Sequence, residues 1–232
     1  MTSPVVKPLQ SATAGGLIAG RSPLAQLLHA LSQPLTGLQC SMEVALATPR
    51  TPGQYERILE VGLELTERIR AVVGAMQEVM DLEEEKNEQL DATELKTLLR
   101  DTLDDLAPVA EVKTVRVAFG CPGDGRLVVK ARRRRMASTV FRLLESALSL
   151  AARGSVLLIE MGGAPTEAWF RVRWQIGRSA SLFKQPELGL IVAQAALEHT
   201  GAVWERERTE ELETVTVRLP IISDDGGILN PP

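Results

Sequence analysis

From Leu24 onward the apolar residues Leu24, Leu28, Leu31, Leu35, Leu38, Met42 and Ala45 follow one another at alternating steps of 4 and 3. An α-helix returns to one face at that spacing and a strand does not, so the segment is predicted to be a helix with an apolar seam. Ser22 and Pro23 supply an N-cap and a first-turn residue, and Thr48-Pro49-Arg50-Thr51-Pro52-Gly53 closes the helix with two prolines and a glycine. Ile58, Gly62, Leu65, Ile69, Val72, Met76 and Val79 then repeat the spacing, with Leu59, Leu63, Val73 and Met80 widening the face. This second helix runs into Asp81 to Glu88. Two long helices joined by a short loop lie antiparallel, and a pair alone leaves much of two wide apolar faces in water. A second copy of the same hairpin, giving a dimeric four-helix bundle, is the expected cover. Packing on the chain's own C-terminal part is the alternative.

Beyond about Leu90 the period changes. Thr93 to Val109 reads as a helix capped by Thr93 and ended before Pro108 or soon after it. Strands are expected at Val112 to Phe119 and Arg126 to Lys130, separated by the turn Cys121-Pro122-Gly123-Asp124-Gly125. A helix from Arg132 to Ala152 follows, with Met136, Val140, Leu143, Leu144, Ala147 and Leu150 on one side. Ser155 to Met161, Ala168 to Ile176, Gly201 to Arg206 and Leu212 to Leu219 read as strands, interrupted by a helix over Pro186 to His199. Strands and helices that do not strictly alternate imply an α+β layer, one mixed sheet covered by helices on one face. The expected division is a flexible N-terminal arm over 1–21, the hairpin over 22–88, the α/β domain over 89–222 and a loose tail over 223–232.

Composition narrows the function classes. The chain has 232 residues, with Lys+Arg 26 against Asp+Glu 30 and a formal charge of -4, so the whole carries no bias towards nucleic acid or anionic lipid. Near the start only Gly16-Leu17-Ile18-Ala19-Gly20 is apolar, far below the ~20 residues of a membrane span. Cys40 and Cys121 have no metal-ligand spacing. No metal site, disulfide, membrane or nucleic-acid partner is therefore expected, and a reduced cytoplasmic location is.

His29 flanks the first seam five residues before Pro34. A proline inside a helix deletes the bond to the carbonyl four residues back, here Ala30, at a cost of ~3 kcal/mol or more. His29 is then either a surface histidine beside a tolerated kink or an exposed imidazole nucleophile on a distorted turn. The stretch His29-Ala30-Leu31-Ser32-Gln33-Pro34-Leu35 resembles the phosphoacceptor box of two-component sensor histidine kinases, in its His-Glu-x-Asn-Gln-Pro-Leu form. Other boxes follow in family order. Arg142-Leu143-Leu144-Glu145-Ser146-Ala147 stands for Asn-Leu-Leu-x-Asn-Ala, Val172 to Ser179 for the Asp-x-Gly-x-Gly segment, and Glu187-Leu188-Gly189-Leu190-Ile191-Val192 for Gly-Leu-Gly-Leu-x-Ile-Val. Glu198-His199-Thr200-Gly201 matches the His-Gly-Gly entry, so the resemblance covers about Pro23 to Pro220. It implies a phosphoacceptor hairpin followed by an ATPase-like α/β sandwich, with His29 as phosphoacceptor and Gln33 and Pro34 shaping its site.

The departures from the family pattern are as informative. The adenine-binding Asp is matched by Gln175, with Gly177 the one glycine kept; the magnesium-holding Asn is Ser146, and its partner one turn earlier is Arg142. Glu187 replaces the first glycine of the last box, while Gly189 is retained, and this would place a carboxylate among the phosphates. Ala30 replaces the acidic general base. Losing two polar contacts at ~1.5 to 3 kcal/mol each weakens nucleotide binding by roughly 10² to 10⁴. The pattern resembles histidine phosphotransferases of multistep phosphorelays, which implies relay between response-regulator receiver domains without ATP, with magnesium supplied by the receiver and a hybrid sensor kinase as a further partner. Two other readings stay open. One is a non-catalytic kinase-derived adaptor, and the other is an active kinase.

The remaining features have plainer expectations. Arg132-Arg133-Arg134-Arg135 starts a helix and reads as a solvated or partner-facing surface. His199 reads as a cap at a helix C-terminus. Glu83-Glu84-Glu85 reads as a solvated helix end, and Met76, Met80 and Met136 read as core filler.

Overall fold

A computed structural model describes residues 16–17, 22–84, 91–121, 127–164, 166–177 and 185–221. Strand β1 (Gly16–Leu17) is followed by helices α1 (Pro23–Ala47) and α2 (Pro52–Glu84), then β2 (Asp91–Glu94), α3 (Leu95–Lys113), β3 (Arg116–Gly120), β4 (Val128–Ala131) and α4 (Arg133–Leu150). The chain continues through β5 (Val156–Gly163), β6 (Glu167–Gln175), α5 (Gln185–His199), β7 (Val203–Arg208) and β8 (Leu212–Pro220). The expected tail and the Cys121 to Gly125 turn beyond Cys121 lie outside the described residues. Within the segment read as an arm, Gly16–Leu17 pairs antiparallel with Arg208 and Glu207 of β7.

The α+β reading holds. Six strands form one sheet in the order β1-β7-β8-β6-β5-β3, with β3 parallel to β5 and the other neighbours antiparallel, and β2 pairs with β4 apart from it. Period-two alternation sets the covered face. On β6 the residues Ala168, Phe170, Val172 and Trp174 are fully buried, while Trp169, Arg171 and Arg173 between them are half-exposed. Helices α3, α4 and α5 supply Leu99, Leu106, Leu143, Leu144, Leu190 and Leu197 to the same core.

Three boundaries differ from the sequence expectation. Thr93 does not cap α3. It is buried in β2, and Glu94 stands at the N-cap. Pro108 does not end α3 either, because the carbonyl it deprives, that of Asp104, lies on the exposed side where water can meet it. The helix runs on to Lys113 and stops at Thr114, whose left-handed backbone (φ 57°) lets Val115 N–H close back on Ala110 O at 3.0 Å. In consequence Val112 is helical, and β3 begins only at Arg116.

Helices α1 and α2 form the hairpin, and residues 85–88 of its expected range lie outside the described residues. Ser22 Oγ accepts from Ala25 N–H at 3.3 Å at the start of α1, and α1 passes through Pro34 unbroken, with the proline ring buried. The helices approach closely where Gly37 faces Leu65 and Gly62 faces Leu38, each contact leaving 3.6 Å to a notional Cβ. Part of the apolar surface finds cover inside the chain. Leu27 and Ala30 of α1 and Val72 and Ala75 of α2 are buried together with Leu188, Ile191 and Val192 of α5. The rest does not. Leu28, Leu35 and Met42 of the predicted seam remain 50, 46 and 55% exposed, beside Leu59 and Leu63 of α2 at 68 and 69%.

Candidate functional site

His29 is exposed on α1, and so is Gln33 one turn later on the same side. Ala30 and Pro34, each next to one of them, face inward. Ala30 is 1% exposed against Val72 and Leu188, and Pro34 is buried. The turn carrying the imidazole is thereby held from beneath while its outer side is left accessible. A cavity of about 330 Å³ opens next to it, lined by Gln33, Pro34, Leu65, Ala71 and Leu188 with Glu64, Glu67 and Arg68 at its polar side. Ser32 Oγ donates to Leu28 O at 3.0 Å and Thr36 Oγ1 to Ser32 O at 2.9 Å, so the hydroxyls flanking Pro34 are engaged by the helix backbone.

The positions matching the family's nucleotide boxes fall in two places. Ser146 is 4% exposed on α4, and a Cβ built on Gly189 of α5 would meet its Oγ at 2.3 Å, so this glycine lets the two helices touch. Beside this contact a cavity of about 510 Å³ separates α2, α4 and α5, with Glu78, Arg142, Glu145 and Ser149 among its walls. Arg142 is ion-paired across it to Glu78 of α2. Gln175 lies elsewhere, exposed at the end of β6, where its carbonyl accepts from Ala152 N–H at 2.9 Å. Gly177 N–H donates to Leu150 O at 3.0 Å, and a Cβ there would lie 3.2 Å from that same oxygen.

Glu187 lies in the first turn of α5 and is engaged by protein partners. Its carboxylate accepts from Arg206 at 2.7 Å and from Arg208 at 3.1 Å, both on β7. Arg206 Nε also donates to Glu213 of β8 at 2.6 Å, and Glu213 is only 1% exposed. Burial works to lower the Arg206 pKa, but the two carboxylates outweigh it and hold the guanidinium above its ordinary value. For Glu213 burial dominates in the other direction. It raises the carboxyl above the usual range, Glu187 adds to the rise, and Arg206 and Arg208 offset it only in part.

The sequence reading missed this four-residue cluster and the polar contacts that join the two parts of the chain. Gln26 Nε2 of α1 donates to Gln194 Oε1 of α5 at 3.3 Å, alongside the Arg142–Glu78 pair. A signal for the cluster was present in the alternation Glu205-Arg206-Glu207-Arg208, which puts both arginines on one face of a strand. His199 is the last residue of α5, followed by Gly201 at φ 81°. Arg133 and Arg134 are exposed in the first turn of α4. Met76 packs on the hairpin cluster and Met136 lies in the main core, whereas Met80 is 60% exposed and is not core filler. Among the described residues no group of three or more His, Cys, Asp or Glu could hold a metal ion, and no helix is long and apolar enough to cross a membrane.

No protein-family model matches the sequence. The sensor protein IrlS of Burkholderia pseudomallei is 27% identical over 152 residues, which cover 63% of this chain and 31% of IrlS, so the chain spans about a third of that relative. Among solved structures, the histidine kinase AdeS of Acinetobacter baumannii superposes with a TM-score of 0.53 at 14% identity, covering 84% of this chain and 98% of AdeS. The histidine kinase ThkA, solved in complex with the response regulator TrrA, superposes at 0.54 with 17% identity, covering 85% of this chain and 60% of ThkA. Hairpin, sheet order and core thus combine in the fold of the histidine kinases, a helical hairpin followed by an ATPase-type α/β domain.

Proposed function

We propose that this chain is a histidine phosphotransferase that relays a phosphoryl group between receiver-domain aspartates through His29, without ATP. The observation that carries this reading is the placing of His29, exposed on the hairpin of a kinase fold whose nucleotide-box positions hold protein contacts instead. The imidazole nitrogen attacks the phosphorus of a receiver's aspartyl phosphate. An N–P bond forms as the P–O bond to the aspartate breaks, the carboxylate leaves, and the imidazole's other N–H releases its proton to solvent. The second receiver's aspartate reverses these steps. Transfer of this kind needs positioning and charge stabilisation, and magnesium in the receiver's acidic pocket supplies the charge.

The nucleotide-box residues fit ATP poorly. Ser146 Oγ fills the space beside Gly189, Arg142 is spent on Glu78, and Glu187 brings a negative charge to the first turn of α5. Homodimerisation is part of the proposal, since Leu28, Leu35, Leu59 and Leu63 form a stripe that nothing in the described chain covers. A hybrid sensor kinase is the natural donor, and the site of action is the cytoplasm. Incubation with a phosphorylated receiver should give acid-labile, base-stable label on the wild type and none on His29→Ala. Equal labelling of His29→Ala would refute the relay. Absence of label on both would favour the adaptor reading, in which the same fold docks a receiver or a kinase without carrying phosphate. Saturable micromolar binding of ATP with magnesium would overturn the reading of Ser146, Gln175, Gly177 and Glu187.

A further inference from the structure

Helix α5 has two working faces. Leu190, Ala193 and Leu197 are fully buried in the sheet core, while Leu188, Ile191 and Val192 are buried against the hairpin. Apolar contacts of the first kind hold a helix down but specify its axial position weakly, whereas charge-assisted hydrogen bonds are directional. The first turn of α5 carries such bonds. A helix N-terminus favours an anion, and here the chain supplies its own in Glu187, gripped by Arg206 at 2.7 Å and Arg208 at 3.1 Å. Arg206 is fastened in turn to Glu213, which is buried in the sheet at 1% exposure. One residue after Glu187 comes Leu188, which packs with Ala30, the immediate neighbour of His29.

We propose that Glu187 and Arg206 are positioning residues for the phosphoacceptor turn: they pin the start of α5 to the sheet, and α5 then offers Leu188, Ile191 and Val192 as a fixed seat for α1. The significance given to the seat rests on reading His29 as the acceptor; the seat itself does not. At the other end of α5 the tie is the neutral Gln26–Gln194 hydrogen bond at 3.3 Å, so the ionic cluster carries most of the directional hold. The cluster joins three consecutive elements, α5, β7 and β8, and reaches the hairpin through the apolar seat.

Amide hydrogen exchange on the full chain tests this. Glu187→Ala is expected to raise exchange at least tenfold over residues 27–34 and 71–76 of the hairpin while leaving β5 and β6 unchanged. Glu187→Gln, which keeps the shape without the charge, is expected to raise the same segments by a smaller factor and decides the matter alone if the alanine variant does not fold. A merely local role would raise exchange in α5 and β7 and leave the hairpin as in wild type, and that result overturns the proposal. His29→Ala, run alongside, is expected to keep the wild-type exchange pattern. A failure of the phosphotransfer reading therefore cannot be mistaken for a failure of the seat.

Discussion

In the α/β domain Phe170, Val172 and Trp174 are sealed at 0% exposure, whereas in the hairpin Leu28, Leu63 and Leu46 stand at 50, 69 and 88%. The domain has three helices and a six-stranded sheet with which to close its own core. The hairpin has two helices and borrows α5. Full burial of one large apolar side chain stabilises by ~1.5 to 3 kcal/mol, so covering what the hairpin leaves exposed, as the proposed dimer would, is worth substantial stabilisation. The contrast separates tasks. One part closes its core on internal contacts, and the other leaves the apolar stripe that the proposed dimer would cover.

The largest expected effects would break that contrast outright. Phe170→Ala should cost ~3 to 5 kcal/mol, seen as a lower urea midpoint, because a closed core cannot refill the cavity. Leu28→Glu combined with Leu63→Glu should instead turn a dimer into a folded monomer, read by sedimentation equilibrium with helix content retained. These two positions are better probes than Leu65, which packs on Gly37 within the pair and whose replacement would damage the hairpin itself. A wild type that sediments as a monomer would remove the dimer from the proposal.

The next effect is smaller and sharpens the account of the site. Gln33→Ala should slow phosphotransfer by one or two orders of magnitude, the equivalent of ~1.5 to 3 kcal/mol for a hydrogen bond to a charged group. Its urea midpoint should not move, since Gln33 is exposed. Single-turnover transfer from a phosphorylated receiver measures the first and denaturation the second.

The smallest effect concerns the cluster and its pH dependence. Glu213 faces Arg206, Arg208 and Glu187, and its folded pKa is raised. The stability it contributes is therefore fully present below its unfolded pKa, about 4.3, and is lost as pH rises through the folded value. Glu213→Gln cannot ionise and keeps an acceptor for Arg206, so its stability relative to wild type should rise as pH increases above about 4.3 and level off once pH has passed the raised folded value. Urea midpoints of both proteins across that range check the sign. A difference that shrinks with pH would contradict it.

How far the sequence disclosed all this differs between the two parts. The hairpin's helices were legible because apolar residues at steps of 4 and 3 have one regular solution and Ser22 and Pro23 mark the start of α1. Which residues would be covered was not legible. Periodicity identifies a stripe but not the neighbour, and docking on α5 buries Leu27, Ala30 and Pro34 rather than Leu24, Leu28 and Leu35. In the α/β domain Pro108 misled because propensity alone does not say on which side of a helix a proline will fall. His29 was marked by local residues, Gln33 and Pro34 above all. The cluster that meets Glu187 was legible only in part, since the alternation on β7 sets Arg206 and Arg208 on one face but does not say that Glu187 of α5 and Glu213 of β8 meet them there.

The measurement that bears most directly on the relay is a paired labelling experiment on the full wild-type chain. One arm offers ATP labelled in its terminal phosphate with magnesium alone, and the other offers a labelled, phosphorylated receiver domain with no nucleotide. The account predicts label on His29 in the second arm and none in the first. Label from ATP alone, lost in His29→Ala, would show a working kinase and contradict it.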